Sequence, residues 1–91
     1  MSGFASQTGG YKQLSATANV SPYPCKLVGI FVSAASSTPT ITVYDSATTT
    51  TAPVVSVFTP TAGTWYTIPA ATGAGLYVVI GGTVSATVIY A

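Results

Sequence analysis

Breaks rich in proline, glycine, serine and threonine divide this chain into short runs, and none of these runs has the period of a helix. The breaks fall at 21–24, 36–39, 46–52, 59–63, 69–75 and 81–82. The runs between them are rich in threonine, valine, isoleucine and aromatic residues, which favour strands. About seven short strands, with turns about every 8–12 residues, predict a single all-β domain over residues 11–91. Its architecture is expected to be a small antiparallel β-sandwich or barrel.

Two internal runs predict strands with different environments. Residues 25–34 are almost continuously apolar, which is typical of a strand that is central in a sheet or buried on both faces. Gly29 in the middle of this run indicates a bulge or a close backbone approach. Residues 40–45 alternate instead, with Ile41 and Val43 on one face.

The C-terminal segment predicts a β-hairpin. Strands at 76–80 and 83–90 flank Gly81-Gly82, and two glycines suit a two-residue turn with positive φ at both positions. This register would pair Val79 with Val84. One face of the hairpin would then be half apolar and covered by a second sheet or a partner. The apolar residues of that face are Leu76, Val78 and Ile80.

The charged residues exclude most catalytic chemistry. Lys12, Lys26 and Asp45 are the three charged side chains, and histidine is absent. General acid–base catalysis needs a group that titrates near the working pH, and a serine nucleophile needs an activating base. We therefore expect no catalytic residue, no cofactor and no enzymatic activity. Asp45 is expected to be a turn residue that hydrogen-bonds its own backbone.

The single cysteine and the two lysines limit the other kinds of site. Cys25 cannot form an internal disulfide, and one Cys with one Asp cannot complete a metal shell. A buried structural thiol is the preferred interpretation of Cys25, and a reactive thiol beside Lys26 is the alternative. Two lysines neutralise about two phosphates, so we expect no nucleic-acid partner. Residues 76–91 are shorter than a spanning helix of about 20 residues, so we expect no membrane partner.

Oligomerisation is the remaining way to stabilise so small a chain. A domain of 91 residues buries only about 60–65% of its unfolded surface. Without a disulfide or a metal, assembly with copies of itself is the expected source of stability. Residues 1–10 are small and polar and end in two glycines. They predict a flexible N-terminal arm, either a loose tail or a segment that Phe4 anchors on a neighbour.

Aromatic side chains are numerous for so small a core, which indicates that some lie at the surface. Tryptophan and tyrosine are enriched at the centres of protein interfaces, and packing within the core and at its rim is the alternative role. Alternation in a strand places Trp65 and Tyr66 on opposite faces, so at least one should point away from the core. The predicted interface residues are Phe4, Tyr11, Tyr23, Trp65, Tyr66, Leu76, Val78 and Ile80.

The segments KLVGIFVSAASSTPTITVYDS (26–46) and FTPTAGTWYTIPAATGAGLYVVIGGTVSATVIYA (58–91) resemble small, uncharged β-rich virion proteins of tailed bacteriophages. Among these are capsid decoration, or cement, proteins. The resemblance implies a homotrimer that binds the major capsid protein on the outer capsid surface, assembled in the host cytoplasm, with the arm on the shell. The alternative is a fibre, collar or tail-adaptor component with an aromatic surface that binds a receptor or glycan. No site residue is carried over from the resemblance.

Overall fold

The computed structural model describes residues 10–48, 50 and 52–91, which form an all-β fold. None of these residues forms a helix that could span a membrane. The strands are β1 (Gly10–Leu14), β2 (Ala18–Ser21), β3 (Lys26–Tyr44), β4 (Pro53–Phe58), β5 (Thr64–Ala71) and β6 (Leu76–Tyr90). They form one antiparallel sheet, so the predicted all-β class is confirmed, with six strands described rather than about seven. The predicted arm lies outside the described residues, except for Gly10, which begins β1.

Two long strands, β3 and β6, pair with each other where the sequence predicted a C-terminal hairpin. Residues 76–90 form the single strand β6, which pairs with β3 along most of its length. The pairing is interrupted between Ser36 and Thr40 of β3, opposite Gly82 of β6. Gly82 has a φ of 70°, as a hairpin turn would also require, but here the positive φ belongs to a bulge. The hairpin, its Val79–Val84 pair and the turn at 36–39 were therefore wrong predictions.

The four short strands pair with the long strands in a crossed arrangement. β1 pairs with the C-terminal part of β6 and β2 with its N-terminal part. In the same way, β4 pairs with the C-terminal part of β3 and β5 with its N-terminal part. A short–short–long order thus occurs twice along the chain, and each pair of short strands lies against the long strand of the other repeat. This divides the sheet into a first half-sheet, β1–β6–β3–β5, and a second half-sheet, β2–β6–β3–β4.

The buried faces of both half-sheets contribute to one core. Ile41 and Val43 are fully buried, which confirms the alternation predicted for residues 40–45. β3 is central in the sheet, as predicted, but only one of its faces is buried, because Val28 and Phe31 are both 39% exposed. The core residues are Leu14, Val20, Leu27, Ile30, Val32, Ile41, Val43, Leu76, Val78, Val84, Ala86 and Val88.

Candidate functional site

The carboxylate of Asp45 binds backbone groups of the β5–β6 connection. It accepts hydrogen bonds from the N–H groups of Gly73 at 2.9 Å, Ala74 at 2.8 Å and Gly75 at 3.4 Å. The bonds from Gly73 and Ala74 lower the pKa of Asp45, because they favour its charged form. The prediction that Asp45 would bond within its own turn was wrong, since its partners lie about 30 residues away along the chain. The carboxylate therefore joins two loops.

Lys12 and Asn19 also hold backbone carbonyls in place. The Lys12 ammonium donates to the carbonyl of Asn19 at 2.8 Å, which links β1 to β2. The Asn19 side-chain amide donates to the carbonyls of Ser21 at 3.0 Å and Leu76 at 3.4 Å, and to that of Ala47. Among the described residues, no group of three metal-ligating side chains occurs. The Lys12 and Asn19 side chains therefore stabilise the fold by pairing with backbone carbonyls.

Cys25 lies at one end of the molecule and is half-buried rather than fully buried. Its backbone N–H donates to the Thr72 hydroxyl at 3.1 Å, and its sulfur lies 3.6 Å from the same oxygen. A shallow cavity of about 440 Å³ opens beside it. We call this cavity the end cleft; it is lined by Pro24, Cys25, Lys26, Ala71, Thr72 and Ala91. The highly exposed Tyr23 directly precedes it in the chain.

The outer surface of the first half-sheet carries exposed aromatic side chains. Phe31 is paired with Trp65 of β5 on one side and with Thr87 of β6 on the other. Thr87 is in turn paired with Gln13 of β1. These four residues form one row across the half-sheet, and they face away from the core because their neighbours Val32, Ala86 and Leu14 are buried. We call this surface, with Tyr11 in the adjacent row, the aromatic face.

Gly29 positions the indole of Trp65 on this face. A Cβ at Gly29 would lie 2.5 Å from Cη2 of Trp65 and 2.7 Å from the carbonyl oxygen of Tyr66. The six-membered ring therefore lies over the backbone of β3, and Gly29 is buried beneath it. The β3 pairing shifts register between Leu27 and Gly29. The predicted bulge and close backbone approach at Gly29 are both confirmed.

A polar groove adjoins the aromatic face on the β1 side. Its volume is about 240 Å³. Ser33 donates a hydrogen bond to the carbonyl of Ser85 at 3.0 Å, which fixes one wall. No lysine, arginine or acidic residue lines it. The polar side chains of the groove are Gln13, Ser15, Ser33, Ser85 and Thr87.

The predicted interface residues fall into separate environments. Tyr11, Tyr23 and Trp65 are exposed, whereas Leu76 and Val78 are fully buried in the monomer's own core. Tyr66 and Ile80 are half-buried and pack against that core, and the Tyr66 ring contacts Phe58 with centroids 5.1 Å apart. The interface prediction was wrong for Leu76 and Val78, because both side chains are buried in the monomer's own core, and for Tyr66 and Ile80 it stays a prediction. Trp65 and Tyr66 lie on opposite faces, as predicted, and Phe4 is outside the described residues.

Sequence reasoning missed Phe31, Gln13 and Thr87 as members of an exposed row. The signal available was Gly29, since a glycine in an apolar strand leaves space for a large side chain from a neighbouring strand. The cross-strand register that places these side chains beside Trp65 could not be read from the sequence. The predicted hairpin paired residues 76–80 with 83–90, whereas in the structure both segments pair with β3.

Comparison with known proteins gives no match: no family model fits the chain, and no curated protein or solved structure is detectably similar to it.

Proposed function

We propose that this chain is a non-enzymatic virion structural protein that binds the outer capsid lattice as a decoration protein and stabilises it. Its exposed chemistry carries the proposal. Exposed aromatic and aliphatic side chains are numerous among the described residues. Two of the three charged groups, Asp45 and Lys12, hydrogen-bond backbone groups of the fold, and the third, Lys26, is exposed at the end cleft. Such a surface suits many neutral contacts repeated over a lattice, where avidity makes weak contacts sufficient.

The end cleft is the proposed shell-facing surface. It is concave and mostly apolar, and Tyr23 beside it is 72% exposed. A large amphipathic side chain next to an apolar depression is the arrangement expected of an anchor at a protein interface. Copies of the chain are proposed to associate on the shell, because a domain of this size with one free cysteine has no other covalent or metal support.

Copy number tests the proposal directly. Quantitative mass spectrometry of purified phage particles that contain this chain should find it at an abundance comparable with that of the major shell protein. A few copies per particle would contradict a lattice-covering role and would place the chain at a vertex, neck or fibre.

Co-sedimentation with shells that lack the chain tests the contact surface. Tyr23→Ala should weaken binding by about tenfold, as expected for loss of an aromatic anchor. Tyr11→Ala is the matched control, since Tyr11 is 69% exposed but lies on the aromatic face. Equal binding by the two variants would show that the end cleft is not the shell contact.

A further inference from the structure

We propose that the aromatic face and the polar groove together bind a neutral oligosaccharide. This goes beyond the proposed function, because it concerns a surface that shell binding through the end cleft leaves uncovered. The two parts of the site are continuous, since Thr87 and Gln13 belong both to the aromatic row and to the groove lining.

The aromatic part supplies stacking surfaces. Trp65 is 42% exposed and Phe31 is 39% exposed, and the two are direct cross-strand partners. A pyranose ring presents C–H groups on its faces and hydroxyl groups around its edge, so it can stack on an aromatic ring while its edge stays polar. Because the Trp65 ring is seated over Gly29, binding would not need to order it further.

The groove supplies partners for the edge of the sugar. Ser15, Ser85 and Thr87 offer hydroxyls that can donate or accept, and the Gln13 amide can do both at once. A few placed polar groups beside an apolar surface are typical of a small-molecule site. Adjacent strands lie about 4.8 Å apart, so the row from Trp65 to Gln13 spans about 14 Å. That length accommodates a short oligosaccharide rather than a single sugar.

The aromatic row and the polar groove contain no charged side chain, which favours a neutral ligand. Sialic or uronic acid units and nucleic acids carry anionic groups, whose binding is favoured by lysine or arginine, and neither part of the site contains one. An apolar peptide would leave the groove hydroxyls without partners, which is costly when water is excluded. A neutral, polyhydroxylated ligand satisfies both parts.

Intrinsic fluorescence provides the test, because Trp65 is the only tryptophan in the chain. Titration with a panel of neutral trisaccharides and hexasaccharides built from glucose, galactose, mannose or N-acetylglucosamine should give a saturable change in emission with at least one of them. Sialylated and uronate oligosaccharides of the same length should give none. No saturable change with any neutral member up to about 10 mM, above the millimolar range of weak sites, would overturn the proposal.

Variants locate the binding on the proposed residues. Phe31→Ala and Gln13→Ala should each raise the dissociation constant by about tenfold or more, and Tyr23→Ala should leave it unchanged. Gln13 is exposed, so its substitution tests the site even if Phe31→Ala impairs folding. Unchanged affinity in Gln13→Ala, or an equal loss in Tyr23→Ala, would contradict the assignment. Particle binding of Gln13→Ala should be normal, which separates this site from the end cleft.

Discussion

The chain's few charged and amide side chains do more for the fold than their number suggests. Its single aspartate and its single asparagine both bond to backbone groups near the same end of β6. Backbone groups in connections need hydrogen-bond partners outside a strand ladder, and here Asp45 and Asn19 provide them. A single carboxylate in a sequence makes acid–base catalysis an unfavoured prediction, but the partners of that carboxylate depend on which loops the fold brings together.

The pKa of Asp45 predicts acid-sensitive stability. Hydrogen bonds from Gly73 and Ala74 hold the pKa in the folded state below its ordinary value, which is about 3.9 in unfolded chains. The stabilisation is therefore complete above that unfolded value and is lost as the pH falls through the lower folded value. Asp45→Asn should unfold at a lower temperature than the wild type at neutral pH, because it lacks the charged acceptor.

Thermal unfolding as a function of pH checks this prediction. The difference between wild type and Asp45→Asn should shrink as the pH is lowered below the ordinary carboxyl value, since the wild-type carboxyl is progressively protonated. A difference that stays constant over the whole range would show that the charge of Asp45 does not stabilise the fold.

At the level of the strands, the sequence predicted which segments form strands and which faces are buried better than it predicted how the strands pair. Alternation correctly predicted the buried face at Ile41 and Val43, and β-branched runs correctly predicted the all-β class. Gly81-Gly82 misled because a hairpin turn and a bulge both need a residue with positive φ. What distinguishes the bulge from the hairpin turn is the pairing of β3 with most of β6, and this pairing joins residues that are far apart in the sequence.

The prediction for the end of β5 was also wrong, because it relied on Pro69 as a local strand break. Pro69 was expected to end the strand, but β5 continues to Ala71. Among the six described strands, β5 pairs with β3 alone, so it is an edge strand of this sheet. A proline is tolerated on such a strand when its missing N–H faces away from the ladder.

The bulge predicts a strong dependence on Gly82. A Cβ at this position would lie 2.5 Å from the carbonyl oxygens of Ser37 and Thr38, and its φ is 70°. Gly82→Ala should therefore combine backbone strain with a steric clash and lower the free energy of unfolding by about 2–4 kcal/mol. Urea denaturation measures this change.

Gly63→Ala is the matched control for the bulge. Gly63 has a φ of 74°, but a Cβ there would meet nothing within 4 Å. Only the strain of the positive φ remains, which costs about 1–2 kcal/mol. Equal destabilisation by the two substitutions would mean that β3 does not pack closely against Gly82.

For the whole molecule, the crossed pairing means that neither repeat provides neighbours for its own short strands. β1 and β2 pair with β6, and β4 and β5 pair with β3. A fragment that ends after β3 would therefore lack a partner for β1 and β2, and a fragment that begins at β4 would lack one for β4 and β5. Each fragment alone should show no cooperative unfolding.

Two fragments divided between residues 48 and 52 should restore the fold when mixed. Circular dichroism and the emission of Trp65 should return to those of the intact chain at a one-to-one ratio. A division within β3, between residues 32 and 34, is the control and should give less recovery, because it cuts a central strand. Native-like unfolding by either fragment alone would contradict the crossed arrangement.

The crossed pairing also makes the connection at 45–52 a tether between two mutually dependent partners. Within the described residues, the repeats meet chiefly through the β3–β6 ladder and the four short strands. A short linker raises the effective concentration of one partner around the other to the millimolar range. Cleavage between residues 48 and 52 would convert unfolding into a dissociation, so the stability of the nicked protein would depend on its dilution.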